Sequence, residues 1–239
     1  MSSPVTVTRA GQVTRIVMDD GKVNVMSLGM LNALHAALDQ AEKDRTVVLL
    51  TARGKCFSAG FDLKTFATAS AGDILAMLKS GAQLPLRLLS FPTPVVAACN
   101  GHAYPEGAFL LMSADYRLGA EGPFKIGMNE VTIGLPLPHW AIEVARQRLS
   151  PAYFSRALMT GEMFGPAEAV TAGFLDRVVP ASELDAAAGE VAERLSAIDF
   201  AAHAQTKALA RAPALEAIRA AMSEELTLER IEKMVATRL

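Results

Sequence analysis

Twice in this chain a short apolar run gives way to a turn of small residues and then to a helical pattern. The first run is Thr46-Val47-Val48-Leu49-Leu50-Thr51, and the stretch after it is Lys55-Cys56-Phe57-Ser58-Ala59-Gly60-Phe61-Asp62-Leu63-Lys64. The second run, Pro94-Val95-Val96-Ala97-Ala98-Cys99, leads into Asn100-Gly101-His102-Ala103-Tyr104-Pro105-Glu106-Gly107-Ala108-Phe109. The β-branched, apolar runs read as buried strands. A small-residue turn between a buried strand and a helix leaves backbone N–H groups free, and free N–H groups at a helix start attract negative charge. Taken alone, Ser58-Ala59-Gly60 reads equally well as a tight strand-to-helix turn. The repetition constrains the chain more. Two such turns side by side aim two N–H donors at one oxygen, which is the geometry of an oxyanion hole.

The rest of the chain alternates in the same way. Val5 to Arg9 and Val13 to Asp19 read as strands around the Ala10-Gly11 turn, and Asp20-Gly21-Lys22 as another turn. Ser27 is a good N-cap for a helix carrying Leu28, Leu31, Leu34, Leu38 and Ala41 at spacings of three and four. A second helix is expected from Asp73 to Leu89, stopped by Pro92 and Pro94, and the small, polar stretch Thr65 to Gly72 reads as a loop over the site. Short strands are expected at Tyr116 to Leu118, Phe124 to Ile126 and Leu175 to Val179, with helices from Glu106 to Ser113, Trp140 to Leu149, after Ser150-Pro151, and from Pro166 to Gly173. Beyond Pro180 the pattern is helical. Leu184, Ala188, Val191, Leu195 and Ile198 form one stripe, and Leu215, Ile218, Met222 and Leu226 another, with Leu228, Ile231 and Val235 beyond. The tail has too little surface of its own to bury both, so it must pack on the core, on another subunit, or on both. Strands alternating with helices make the class α/β.

Composition narrows the function classes. A formal net charge of −2 predicts no nucleic-acid partner. Cys56 and Cys99 give neither a disulfide framework nor a zinc pattern, and His35, His102, His139 and His203 show no ligand spacing, so no metal is expected. Cys56 reads as a packed small hydrophobe rather than a nucleophile. No apolar run reaches membrane-spanning length, and Met1-Ser2-Ser3-Pro4 does not read as a secretion signal, so a cytoplasmic protein is expected.

The order of the motifs resembles the crotonase superfamily, the enoyl-CoA hydratases and isomerases. The matching pieces are Phe57 to Leu63, Asn100-Gly101 through Gly107, Asp115-Tyr116-Arg117, Ile126-Gly127-Met128-Asn129-Glu130-Val131-Thr132-Ile133-Gly134-Leu135, and Arg156 to Val179. The resemblance covers roughly residues 5 to 195. It implies a spiral of β-β-α repeats, here 1–190, holding an acyl-CoA site. A helical C-terminal region, 191–239, would serve packing and assembly into a homotrimer or hexamer. Coenzyme A would enter as part of the substrate, with no separate cofactor.

The resemblance also assigns roles. The first oxyanion donor is the N–H of Phe61. The second, counted from Gly101, is the N–H of Glu106, where Pro105 and Glu106 depart from the family's glycine run. Hydratases of the family use two glutamates. One matches Glu130, but the other falls on Phe109, which can neither accept nor donate a proton. One carboxylate suits a 1,3-proton shift, and the run from Ile126 to Gly134 with Pro138 and Trp140 is most similar to that of 3,2-trans-enoyl-CoA isomerases. Met128, Val131, Ile133 and Phe109 are apolar candidates for the pocket around Glu130. A buried glutamate there would have a raised pKa, nearer that of a working base. The Glu106 side chain reads first as a solvated carboxylate at a helix N-terminus. The rival reading makes it a replacement for the missing acid. By resemblance, Lys22-Val23-Asn24-Val25 and Ala59-Gly60-Phe61-Asp62-Leu63 line the CoA site, joined by Tyr104, Gly107 and Phe109; Lys22, Lys55 or Lys64 would meet phosphate. The alternatives carried forward are an enoyl-CoA hydratase or another crotonase-type lyase or hydrolase, and a catalytically weak acyl-CoA-binding subunit.

Overall fold

A computed structural model describes residues 3–236, so Met1, Ser2 and the last three residues, 237–239, of the expected C-terminal region lie outside the described residues. The chain runs β1 (Val5–Ala10), β2 (Val13–Met18), α1 (Leu28–Asp44), β3 (Val47–Ala52), β4 (Cys56–Ser58), α2 (Leu63–Thr68), α3 (Ala71–Ser90), β5 (Val95–Cys99), β6 (His102–Ala103), α4 (Pro105–Ser113) and β7 (Tyr116–Ala120). It continues through a 3-10 turn at Glu130–Ile133, α5 (His139–Arg146), α6 (Pro151–Met159), α7 (Pro166–Ala172), β8 (Arg177–Val179), α8 (Leu184–Ser196), α9 (Phe200–Glu225) and α10 (Leu228–Ala236).

Six strands form one sheet in the order β1-β2-β3-β5-β7-β8, and β4 pairs with β6 in a second, two-stranded sheet. Among the described strands of this sheet only the β1–β2 pair is antiparallel; β2–β3, β3–β5, β5–β7 and β7–β8 are parallel. β3 and β5 are buried throughout, as parallel strands covered on both faces must be. Each then sends the chain across to the small sheet, as β4 or β6, before the next helix. Strand, strand, helix is therefore the repeating step, and it places the two small-residue turns next to each other.

Gly101 makes the crossing possible. A Cβ there would sit 2.0 Å from the Lys55 carbonyl oxygen, which is backbone and cannot move aside. A Gly101→Ala variant is expected to lose about 3 kcal/mol, the upper end of overpacking costs. Gly189→Ala in α8, where a Cβ meets nothing within 4 Å, is expected to gain about 0.5–1 kcal/mol. Urea unfolding of the two variants against wild type checks both signs.

Several element boundaries differ from the sequence expectation. The stretch Thr65 to Gly72 is not a loop: Asp62 caps α2, and Ser70 caps α3 by accepting from the Asp73 N–H. Phe124 to Ile126 is not a strand. Gly122 and Gly127 flank it at φ 156° and 154°, and pairing is confined to Ile126, which bridges Ala103 and Phe164. The last strand begins at Arg177 because the Phe174 and Leu175 N–H groups close the end of α7 on the Ala169 carbonyl. The Trp140 to Leu149 helix ends at Arg146.

The C-terminal helices cover the core. α8 packs on β3, β5 and β7, α9 on α3 and α5, and α10 on α3. Ile218 and Ile231 are buried, whereas Ile198 and Leu228, expected in the stripes, are exposed. Among the described residues no helix is long and apolar enough to cross a membrane.

Candidate active site

The first turn hangs from β4. Gly60 adopts φ 85°, which suits glycine alone at low cost. The Ser58 hydroxyl donates to the Asn24 carbonyl at 2.8 Å and accepts from the Gly60 N–H at 3.2 Å. Segment 22–26 is stitched to the same turn: Ala59 N–H donates to the Val23 carbonyl, and Met26 N–H to the Gly60 carbonyl. Asn24 itself sits at φ 56°, and its side-chain amide donates to the carbonyls of Arg53 and Cys56. Asp20 accepts from the N–H groups of Lys22, Asn24 and Val25. Burial pushes its carboxyl up, but these three donors outweigh that and hold it below the usual carboxylate range.

The second turn is laid against the first. Tyr104 N–H donates to the Ser58 carbonyl at 2.9 Å. Pro105 opens α4, where a missing N–H costs nothing. A Cβ on Gly60 would lie 3.6 Å from the Pro105 ring and 3.9 Å from the Glu106 nitrogen, and one on Gly107 would lie 3.0 Å from the Ser58 Cβ. The two turns are thus in van der Waals contact. Neither the Phe61 nor the Glu106 N–H donates to an acceptor in a turn or loop among the described residues. Glu106 belongs to the first turn of α4, whose N–H groups have no intrahelical acceptor.

The third piece comes from the stretch after β7. Ala103 and Ile126 exchange bonds through Ala103 N–H to Lys125 and Gly127 N–H to Ala103, tying this stretch to β6. The 3-10 turn that follows begins at Glu130 and closes at Gly134 with φ 77°. Burial pushes the Glu130 carboxyl up to about 7, against a lowering bond from its own backbone N–H. The folded state therefore holds a proton that the unfolded chain has released between pH 4.5 and 7, so this group costs stability as pH rises through that window. Glu130→Gln removes the cost. The variant is expected to match wild type near pH 4 and to exceed it by about 1–3 kcal/mol at pH 8. Equal differences in urea midpoint at both pH values would mean that Glu130 titrates normally.

Two sequence expectations change here. Glu106 is not solvated: it is 0% exposed, and burial, then the Glu130 charge, push its carboxyl well above the usual range. Val131 and Ile133 do not enclose Glu130; they are 36% and 54% exposed. Met128 and Phe109 are buried, and Phe109 meets Trp140 edge to face at 5.3 Å. Of the substrate-contact candidates, Gly60 and Gly107 are buried at the touching turns, and Val25, Ala59, Asp62 and Tyr104 are half-buried. Lys22, Val23 and Leu63 are exposed. The Asp62 carboxylate is spent on capping α2, accepting from Lys64 N–H and the Thr65 hydroxyl. His139 is on the surface, 3.4 Å from Glu143. Asp20 and the Ser58 hydroxyl were not anticipated from sequence, and Asn24, expected among the residues lining the CoA site, instead turns its side chain to the Arg53 and Cys56 carbonyls; the Asp20-Gly21-Lys22 turn signal is the clue that points to Asp20.

Known proteins are similar to this chain in sequence and in fold. Residues 8–234 match the family profile described as enoyl-CoA hydratase/isomerase. The human protein "Enoyl-CoA delta isomerase 1, mitochondrial" is 33% identical over 193 residues, 79% of this chain; the match spans 64% of the human protein's length, a little under two thirds. A carnitinyl-CoA dehydratase of Salmonella enteritidis is 32% identical over 199 residues, covering 82% of this chain and 75% of its own. The crystal structure of an enoyl-CoA hydratase/isomerase family protein from Pseudomonas syringae superposes with a TM-score of 0.90 at 44% identity, covering 93% of this chain and 96% of that one.

Proposed function

Because the chain belongs to the enoyl-CoA hydratase/isomerase family, we propose that it is a 3,2-enoyl-CoA isomerase working through Glu130. The observation that carries this reading is the Glu130 carboxyl, pushed up by burial to about 7, together with Phe109, packed on Trp140, at the position where the resemblance puts the hydratases' second glutamate. A base titrating near the operating pH is the one best matched to carbon-acid chemistry.

The thioester oxygen sits between the N–H groups of Phe61 and Glu106. The Glu130 carboxylate removes a proton from C2. The electrons move into the thioester, and the enolate oxygen is held by the two donors. Glu130 then returns its proton to C4, and the double bond comes to rest between C2 and C3. No atom is gained or lost. Each oxyanion donor contributes about 2.7–4 kcal/mol to such a step. The acyl-CoA extends from the touching turns along Val23, Val25, Ala59, Gly60 and Leu63 toward Tyr104 and Gly107, and Lys22 meets phosphate.

We also propose that the site works in a homotrimer or hexamer, supported by exposed apolar side chains such as Met159 (71%) and Leu209 (79%). Two buried free thiols suit a reducing compartment such as the cytoplasm.

The test is to offer the purified protein a 3-enoyl-CoA and, separately, a 2-enoyl-CoA, following mass and ultraviolet absorbance. Conversion of the 3-enoyl to the 2-enoyl compound at constant mass is expected. Gain of one water by the 2-enoyl compound, with no isomerisation, would make it a hydratase instead. Binding without exchange of the C2 proton would leave an acyl-CoA-binding subunit.

A further inference from the structure

Three of the five buried side-chain polar atoms without a hydrogen-bond partner among the described residues belong to two glutamates: both carboxyl oxygens of Glu106 and Oε2 of Glu130. Buried polar groups are ordinarily partnered, because an unmet one retains its whole desolvation cost. An acidic residue in the first turn of a helix usually bonds the free N–H groups there or faces water. Glu106 does neither. It lies three residues before Phe109, so the two side chains share a face of α4, and after burial the Glu130 charge is the second cause that raises its carboxyl.

We propose that Glu106 and Glu130 share one proton, directly or across one water, with Glu106 as the carboxylic acid that positions the Glu130 carboxylate for its work as base. This inference rests on the isomerase reading for its consequence but not for its test. The shared proton satisfies the orphaned oxygens on both sides. It also keeps Glu106 neutral. An ionised Glu106 would put a full negative charge on the residue whose own N–H meets the enolate. Glu106 is thus a positioning residue that acts through Glu130.

No other charged group competes for this proton. Among the described residues Glu130 is the sole charge acting on Glu106. On α5, packed against α4, His139 and Arg146 are both engaged by Glu143. On α3, Arg87 pairs with Asp39 and Glu42. His102 on β6 accepts from the Lys125 N–H. The buried thiols of Cys56 on β4 and Cys99 on β5 are pushed up by desolvation and stay neutral.

The experiment is a carboxyl carbon-13 NMR titration of the intact protein labelled at glutamate, with the two resonances assigned by their loss in Glu130→Gln and Glu106→Gln. In wild type both resonances are expected to step together at the Glu130 midpoint, as coupled sites do. Glu106→Leu removes the donated hydrogen bond and is expected to raise the Glu130 midpoint by about one unit. Glu106→Gln, whose amide still donates, is expected to restore it. The acid limb of the isomerisation rate follows the same order. A Glu106 resonance that stays flat through the Glu130 midpoint in wild type overturns the proposal, whether or not the leucine variant folds. An equal shift in the leucine and glutamine variants also overturns it. Isomerisation that survives Glu130→Gln would instead sink the functional reading and leave the titration to decide the pair.

Discussion

Glu130→Gln is expected to slow conversion of a 3-enoyl-CoA by about a thousandfold, within the range that a positioned acid–base group contributes. The amide keeps the shape of the carboxyl and removes its basicity. The proposed oxyanion donors, the Phe61 and Glu106 N–H groups, are backbone, so the variant is expected to keep them and the contacts along segment 22–26. The loss is therefore expected in kcat, with KM nearly unchanged, the pattern of an interaction made only in the transition state. Steady-state kinetics over pH 5–9 check it. Wild type should lose activity below about pH 7 as Glu130 takes up its proton, and the residual rate of the variant should be flat. A variant retaining a tenth of wild-type kcat would show that another group carries the proton. Because the same substitution is expected to stabilise the fold at pH 8, low activity cannot be blamed on unfolding.

The second large effect lies away from the site. Asp115 accepts from the Val95 N–H at 2.9 Å and from Lys207 Nζ at 2.7 Å, and pairs with Arg211 at 3.0 Å. His203 approaches to 3.8 Å. Lys207 is 6% exposed, and burial, opposed by Asp115, pulls its pKa down to about 8. One carboxylate thus holds two cations of α9 against the end of β5. Asp115→Ala leaves both cations buried without it, which costs about 3–5 kcal/mol. That is on the order of 10 °C in melting temperature for a chain of this size. Calorimetry of the variant decides it. A loss under about 1 kcal/mol would mean that the cluster behaves like a surface pair.

What could be read from the chain and what could not divide along physical lines. β-branched runs and their small-residue turns are local, so β3, β5 and the two turns were legible, as was the placing of Glu130 after them. Caps are local too, yet Asp62 and Ser70 were missed because the small residues of 65–72 hid the helical turns between them. The burial of Glu106 was not legible. A glutamate at a helix start ordinarily faces water, and its burial here goes with an approach between residues far apart in the chain: Gly60 near Pro105, Gly107 near Ser58. The bonds of the Asn24 amide were hidden for the same reason, since they reach carbonyls of Arg53 and Cys56 that only the folded sheet brings near. Val131 and Ile133, expected around Glu130, lie exposed on the 3-10 turn.

The clamp on α9 has a consequence for the order in which the protein is made. The residues proposed to form the site run from Lys22 to Glu130, whereas Lys207 and Arg211, which fasten α9 over α3 and α5, come later in the chain. At about 5–20 residues per second, a ribosome delivers the touching turns and the Glu130 loop several seconds before their cover. During that interval the apolar flanks of α3 and α5 face the cellular milieu. The nascent chain therefore passes through a stage in which its chemistry is spelled out but its walls are open, and this is the stage at which a chaperone has most to bind.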